Sequence, residues 1–388
     1  MTGLSRGVVA AVAAVAVVSC SCSSGTTAAP AASSAASTAA PGTQGTTGDV
    51  IFATDKVGWV IAPQTARRVT DVYRTTDGGL TWALWGSLPE VAAGHETPGT
   101  TVVASESALL LVPAGSDHLM FRADGGKWQR WNFPIVPPNV SVMVEFLPDL
   151  QHGWLLRDNY GDFFQTVDGG RTWKVLRSFR QFEDPGASGP LFWSPTDGSM
   201  YYNGGDGIVF LVTRDSGATW GPVSLPVVKA QQDLHVTAAL ALSPELTMFN
   251  QGDGLLALHP YPSSGPFDPP LRKVLYVTAT SDGGAHWSPA KLIRLPEPGG
   301  VVFLDSQRWL MAGDRSVYFT SDEGGHWQQA AGLDAGLWRG SPGIQVMQSN
   351  RNVAFLTFSA GGIHWLDVST DGGEHWRPVP LPAVREAN

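Results

Sequence analysis

Beyond residue 48 the apolar positions of this chain fall in short runs, such as Val72-Tyr73-Arg74, Trp173-Lys174-Val175-Leu176 and Val317-Tyr318-Phe319, parted by Gly, Pro, Asp and Asn. Runs that short, punctuated that densely, predict β-strands joined by tight turns. No long amphipathic helix is predicted after residue 20. A faint repeat marks pairs of strands. Phe52-Ala53-Thr54-Asp55 followed by Gly58-Trp59-Val60 is echoed by Phe146-Leu147-Pro148-Asp149 followed by Gly153-Trp154-Leu155. Phe303-Leu304-Asp305 followed by Arg308-Trp309-Leu310 reads as a third instance. Each is a first strand, a turn and a second strand.

A stronger repeat sits between the third and fourth strands of each unit. Thr75-Thr76-Asp77-Gly78-Gly79-Leu80-Thr81-Trp82 returns in register at Asp168 and Trp173, Asp215 and Trp220, Asp282 and Trp287, Asp322 and Trp327, and Asp371 and Trp376. The shared pattern is Ser/Thr-x-Asp-x-Gly-x-x-Trp. A seventh copy, Arg122-Ala123-Asp124-Gly125-Gly126-Lys127-Trp128, is one residue short and lacks the leading Ser/Thr. The composition has a physical reason. A tight turn leaves backbone N–H groups pointing inward, and a carboxylate can accept several of them. Glycine supplies the positive φ, and the tryptophan buries a large apolar area over the loop. The seven aspartates are spaced by 47, 44, 47, 67, 40 and 49 residues, the period of a four-stranded propeller blade.

The pattern resembles the Asp-box, or BNR repeat, of β-propellers of the photosystem II stability/assembly factor-like and sialidase-like kinds, over residues 49–388. That resemblance implies an all-β fold, a single seven-bladed β-propeller with four-stranded antiparallel blades. It makes Asp77, Asp124, Asp168, Asp215, Asp282, Asp322 and Asp371, with Trp82, Trp173, Trp220, Trp287, Trp327 and Trp376, structural residues on the face away from any active site. In this frame the turns between first and second strands share a face with the repeated turns. The remaining connections form the other face, and two of them, 177–189 and 261–273, are long. Long loops on a rigid scaffold are where binding concentrates. Arg67, Arg68, Tyr160, Tyr261, Arg272, Lys273, Arg315 and Trp338 fall in such connections and make the candidate binding face, since Arg and aromatic residues are the usual anchors of interfaces.

The N-terminus reads as an address. Arg6 precedes an unbroken apolar run from Val8 to Val18, too short to span a bilayer and suited to a signal peptide. Val17-Val18-Ser19-Cys20 resembles a bacterial lipobox, which implies cleavage before Cys20 and its acylation. An ordinary secretion signal is the alternative. Cys22 is a second candidate acceptor, without an aliphatic side chain three positions upstream. Residues 20–48 are rich in Ser, Thr, Ala and Pro and hold no charge, which predicts a flexible tether. The domain plan is therefore 1–19 signal peptide, 20–48 tether and 49–388 propeller.

Composition narrows the chemistry. Both cysteines lie at 20 and 22, so residues 23–388 can form no disulfide and no thiolate metal site. The formal charge of −9 offers nucleic acid no attracting field. No metal or other cofactor is expected, because each repeated turn supplies one central carboxylate where calcium wants six to eight oxygens. A sialidase needs an arginine triad, and its family's first arginine sits in an aromatic-Arg-Ile-Pro motif. The nearest match, Ile293-Arg294-Leu295-Pro296, comes late and lacks the aromatic. Asp158, Asp162, Glu183, Asp184, Asp206 and Asp314 are the carboxylates in loops of the other face that a different glycosidase could pair.

The resulting expectation is a lipid-anchored, extracytoplasmic, monomeric propeller at the cell membrane. It would act as a non-catalytic binding or assembly module for an exported protein or an envelope glycan, with a sialidase-type glycoside hydrolase as the alternative. Cys20→Ala is expected to abolish labelling with radioactive palmitate and to move the protein from the detergent phase to the aqueous phase. Unchanged partitioning would remove the anchor.

Overall fold

The computed structural model describes residues 49–64, 69–89, 101–112, 118–134, 142–157, 162–178, 190–204, 207–226, 240–262, 269–313, 316–333, 343–347, 350–360 and 363–382. Twenty-eight strands make seven antiparallel sheets of four. The first is β1 (Asp49–Phe52), β2 (Gly58–Gln64), β3 (Val69–Thr75) and β4 (Ala83–Pro89). The second is β5 (Thr101–Ala104), β6 (Ala108–Val112), β7 (His118–Ala123) and β8 (Gln129–Asn132), and the third is β9 (Val142–Phe146), β10 (Gly153–Arg157), β11 (Asp162–Thr166) and β12 (Lys174–Ser178). The fourth is β13 (Leu191–Phe192), β14 (Gly198–Gly204), β15 (Gly207–Thr213) and β16 (Gly221–Val223), and the fifth is β17 (Leu240–Met248), β18 (Gly254–Pro262), β19 (Val274–Thr280) and β20 (Lys291–Arg294). The sixth is β21 (Gly299–Phe303), β22 (Trp309–Gly313), β23 (Val317–Thr320) and β24 (Gln328–Gln329), and the seventh is β25 (Gly343–Val346), β26 (Ala354–Ala360), β27 (Ile363–Ser369) and β28 (Arg377–Val379). A 3-10 turn, Pro269–Lys273, leads into β19.

These sheets are the blades of a seven-bladed β-propeller, with the first strand of each innermost. Every blade is a contiguous stretch of chain, so no strand is lent from one end of the sequence to the other. The core lies between blades. Seven apolar clusters fill the seams, one for each neighbouring pair, including one between the last blade and the first. An open row of seven sheets would have only six seams, so the seventh cluster closes the ring. Period-2 alternation sends successive side chains of a strand to opposite seams. Trp59 packs toward blade 2 while Val60 packs toward blade 7, and both are fully buried.

Closure at the last seam uses side chains. Phe52 stacks on Phe355 with ring centroids 3.5 Å apart and planes within 4°. Gln345 grips the backbone of the same phenylalanine from blade 7. Phe52 N–H donates to Gln345 Oε1 at 2.9 Å, and Gln345 Nε2 donates to the Phe52 carbonyl at 2.7 Å. Trp82 Nε1 adds a bond to the Pro380 carbonyl at 2.7 Å.

The aromatic-glycine repeat read from the sequence has a packing cause. Phe52 faces Gly58 across its hairpin, and a Cβ on Gly58 would lie 2.6 Å from the ring. Phe146 over Gly153 and Phe192 over Gly198 repeat this, with 2.5 and 2.7 Å. The third sequence instance is out of step by one residue. Phe303 pairs with Trp309 itself, edge-on at 5.0 Å, and Leu310 takes the place that Trp59 and Trp154 hold in their blades. The turn of blade 6 has the same length as that of blade 1, so Trp309 stands where Gly58 does, one position earlier in its strand than Trp59, and a one-residue shift along a strand turns a side chain to the opposite face. The fourth strand of a blade also begins later than expected: Trp173 stands just before β12 rather than on it, and β20 starts four residues after Trp287.

Gln345→Ala would strand both backbone groups of Phe52 at the closing seam. We expect a loss of about 2–4 kcal/mol in chemical denaturation, since each buried unsatisfied group costs about 1–3 kcal/mol. A loss within 0.5 kcal/mol, the ordinary scale of an idle surface site, would show that the seam holds without this latch.

Candidate functional site

Six of the repeated turns share one hydrogen-bonded design. In blade 3, Thr166 Oγ1 donates to Asp168 Oδ1 at 2.9 Å, and accepts from Gly170 N–H at 2.8 Å. Thr172 N–H donates to Oδ1 of Asp168 at 2.9 Å, and Thr172 Oγ1 to its Oδ2 at 2.7 Å. Asp77 and Asp215 make the same set with threonines. In blades 5, 6 and 7 the second threonine becomes histidine. The Nδ1 atoms of His286, His326 and His375 lie 2.6, 2.6 and 2.7 Å from Oδ2 of Asp282, Asp322 and Asp371. Since a carboxylate only accepts, Nδ1 carries the proton. Each turn is also pinned to the turn between the first two strands of its blade, as by Gly169 N–H to the Gln151 carbonyl at 2.9 Å.

The conformation explains the residues. The position after each aspartate has positive φ, between 59° and 82° across the six turns, and is Gly in four of them. Ser216 and Glu323 hold it at φ 65° and 59°. At the next position a Cβ on Gly170 would come within 2.5 Å of Leu119 in the neighbouring blade, so the turn packs against the seam itself. The tryptophan then covers the loop: Nε1 of Trp173, Trp220, Trp287 and Trp376 donates to the carbonyl of Gly170, Gly217, Gly284 and Gly373. Trp327 Nε1 finds no partner among the described residues, and Trp82 is the one committed to the closing seam.

The seventh turn departs from this design. Asp124 was expected to tie its own loop, but its carboxylate leaves blade 2. Arg74 Nη1 donates to both of its oxygens at 3.1 Å, and Trp85 Nε1 donates to Oδ1 at 3.0 Å, both from blade 1. The cause lies in the shortened sequence. Without a leading hydroxyl and with one residue fewer, the loop offers the carboxylate no internal donor set. Arg122, standing where Ser or Thr would be, instead lies over the Trp85 ring at 4.3 Å. The loop keeps its backbone pin, Asp124 N–H to the Ser107 carbonyl at 2.8 Å.

Hydrogen bonding sets the charge of these groups. For Asp282 the backbone N–H and then the imidazole of His286 pull the carboxyl down to about 2. For Asp322 the His326 side chain leads, and the carboxyl lies far below the usual range. At Asp168 burial pushes upward, but the Thr172 N–H and hydroxyl outweigh it and the net direction is down. All six carboxylates are ionised at neutral pH and spent on their own turns. Among the described residues no group of three or more His, Cys, Asp or Glu is gathered to hold a metal ion.

The repeated turns and the turns between first and second strands lie at one end of the barrel of blades, because the strands alternate in direction. The other end is built from the remaining connections. Arg67, Arg68, Tyr160, Arg315 and Trp338 lie there in sequence but outside the described residues, as do Asp158, Glu183, Asp184, Asp206 and Asp314. Tyr261 belongs to β18, with only its backbone described. Arg272 and Lys273 are exposed in the 3-10 turn before β19, where Lys273 Nζ reaches the Pro296 carbonyl at 3.4 Å. Asp162 is held by Arg157 in an ion pair. Three features were missed in the sequence: the Gln345 latch, Glu145 at the seam of blades 3 and 4, and Arg351. Arg351 Nη2 reaches past blade 6 to donate to the Phe249 carbonyl of blade 5 at 2.6 Å. No local motif announces any of them.

No protein family and no curated protein matches the sequence. Similar solved structures include YCF48 bound to D1 peptide, at 15% identity and TM-score 0.49, covering 85% of this chain and 94% of that one. AztD from Citrobacter koseri is similar at 12% identity and TM-score 0.47, over 87% of this chain and 86% of the other. An α-L-arabinofuranosidase from Fusarium graminearum, in complex with an iminosugar inhibitor, is similar at 11% identity and TM-score 0.39, over 82% and 90%. At such identities the likeness says nothing of ligand or activity.

Because the folded values of these aspartates lie below the ordinary 3.8, their stabilisation is complete above about pH 4 and drains away as pH falls through the folded values. Tryptophan fluorescence should report a steep acid transition between about pH 4 and pH 2. Asp168→Ala should cost about 1–3 kcal/mol in denaturation at pH 7 and blunt that transition. Asp124→Ala, which removes a half-exposed ion pair, should cost about 1 kcal/mol or less at pH 7.

Proposed function

We propose that the chain is a membrane-tethered, extracytoplasmic, non-catalytic binding or assembly module whose partner, an exported protein or an envelope glycan, docks on the end opposite the aspartate turns. One observation carries this reading: six of the seven repeated carboxylates are consumed inside their own loops and the seventh by the neighbouring blade, so the turn end has its polar groups committed to holding the ring. The sequence assigns the long connections 177–189 and 261–273 to the opposite end, and loops on a rigid scaffold are free to differ where the frame is not.

The chain enters β1 from that same end, since β1 runs toward its turn with β2. A lipid anchor at Cys20 with a tether over 20–48 would therefore hold the module with its binding loops toward the envelope it serves. The arginines speak against a sialidase-type site. Arg74, Arg157, Arg214 and Arg308 are each paired with a carboxylate of this chain, Asp124, Asp162, Asp197 and Asp305, and none of these is left to clamp a substrate carboxylate.

A photo-activated cross-linker at Tyr261 or Arg272 is expected to capture a partner in intact cells, while the same group at Leu80 or Val167, both exposed on the turn end, captures none. Equal capture from both ends would overturn the docking assignment. Turnover of a fluorogenic sialoside by the purified chain would replace the binding reading with the hydrolase.

A further inference from the structure

The seam between blades 3 and 4 repeats the closing seam part for part. At the closing seam, Phe52 ends β1 and stacks on Phe355 of the preceding blade, and Gln345, the cross-strand partner of Phe355, grips the Phe52 backbone. At the other seam, Phe192 ends β13 and stacks on Trp154 of the preceding blade, with centroids 3.5 Å apart and planes within 1°. The cross-strand partner of Trp154 is Glu145. Its carboxyl accepts the N–H of Phe192, as Gln345 Oε1 accepts that of Phe52. Glutamate and glutamine have the same shape, but their second arms differ. Gln345 offers an NH2 to a carbonyl. Glu145 offers Oε1, which is sealed from solvent and has no hydrogen-bond donor. At the closing seam the matching arm meets the Phe52 carbonyl, and an anionic oxygen set in the same way against the Phe192 carbonyl would leave both without a proton to share.

We infer that Glu145 is a proton-operated latch: in its neutral form it mimics Gln345 and holds blade 4 to blade 3 through both backbone groups of Phe192. On ionisation the proton goes to solvent, and the carbonyl arm of the grip is lost while the N–H arm remains. Burial drives the group in the same direction, lifting its carboxyl from 4.5 to about 8 against the opposing pull of the Phe192 N–H. The residue keeps some exposure along its length while Oε1 has none, so the closed atom is the one that matters.

The neighbouring elements bring little charge to bear. Arg157 on β10 shares the face of Leu155, toward blade 2, and pairs with Asp162. On β14 stand the phenols Tyr201, packed on the seam with blade 5, and Tyr202. Strands β13 and β15 carry no titratable side chain. In the adjoining turns Asp149 is bound to His152, and Asp197 to Ser194, Thr196 and Arg214.

The sign follows. A folded-state value above the unfolded one means the stabilisation is complete below about pH 4.5 and is lost as pH rises to about 8. The test is the melting midpoint of the full chain, measured from pH 5 to pH 9 for the natural protein and for Glu145→Gln. The two should melt together at pH 5. Their midpoints should part progressively, with the variant higher by roughly 5 °C above pH 8. A constant offset at every pH, a variant that melts lower at pH 9, or one that fails to fold at any pH would overturn the latch. The reciprocal change, Gln345→Glu, should transplant the behaviour to the closing seam, folding at pH 5 and losing stability faster than the natural protein toward pH 9. A Gln345→Glu profile parallel to the natural one would also overturn it.

Discussion

A ring of sheets is only as sound as its last seam. Each blade here must bury both of its faces, and a blade at the end of a row would leave one face to water. The first and last blades meet without sharing a strand, so the backbone ladder that could have joined them is absent. What joins them is a stacked pair of phenylalanines, an apolar cluster running from Val60 to Leu381, and a glutamine that completes the hydrogen bonds of an innermost strand. The hydrophobic term supplies most of the adhesion, and the polar clamp fixes which residue faces which. Every other statement about the molecule presumes that this seam is shut.

The aspartate turns serve the same end by a different route. They convert the loop between the two outer strands into a rigid block, fastened inward to the first turn of the blade and roofed by a tryptophan. Rigid blocks keep the blade edges in register, so that side chains such as Leu119 meet the neighbouring loop at contact distance. Blade 2 shows what happens when the loop loses its hydroxyl: the carboxylate is redeployed across the seam to Arg74 and Trp85, and an arginine lies over the ring of that half-buried tryptophan. The ring tolerates the exchange because the purpose, fixing neighbours, is met either way.

How much of this could be read in advance depends on the range of each interaction. The turn design is local. Donor, carboxylate, glycine and tryptophan lie within eight residues, so Asp77 through Trp82 announces itself, and the blade count follows from its recurrence. The aromatic-glycine pairing was legible in blades 1 and 3. It was misjudged by one residue in blade 6, because after a turn as long as that of blade 1 Trp309 takes the position of Gly58 and so points to the other face, while the letters stay nearly alike. Asp124 kept the letters and changed its partners. Gln345 and Glu145 were invisible, since nothing in a single strand says that its neighbour across the seam will present a bare amide and carbonyl. The proposed binding residues were chosen by their place in the connections, and that end of the molecule is the part whose sequence follows no repeat.

The contiguity of the blades has a consequence for engineering the protein. A sheet borrowed from both termini would bind the chain to one starting point. Here each quartet of strands is cut from a single length of sequence, and both ends of the described chain leave from the same side of the disc. Joining the old termini and opening the polypeptide between any two blades would divide no sheet. Any of the seven quartets could therefore stand first in a permuted chain without a sheet being cut.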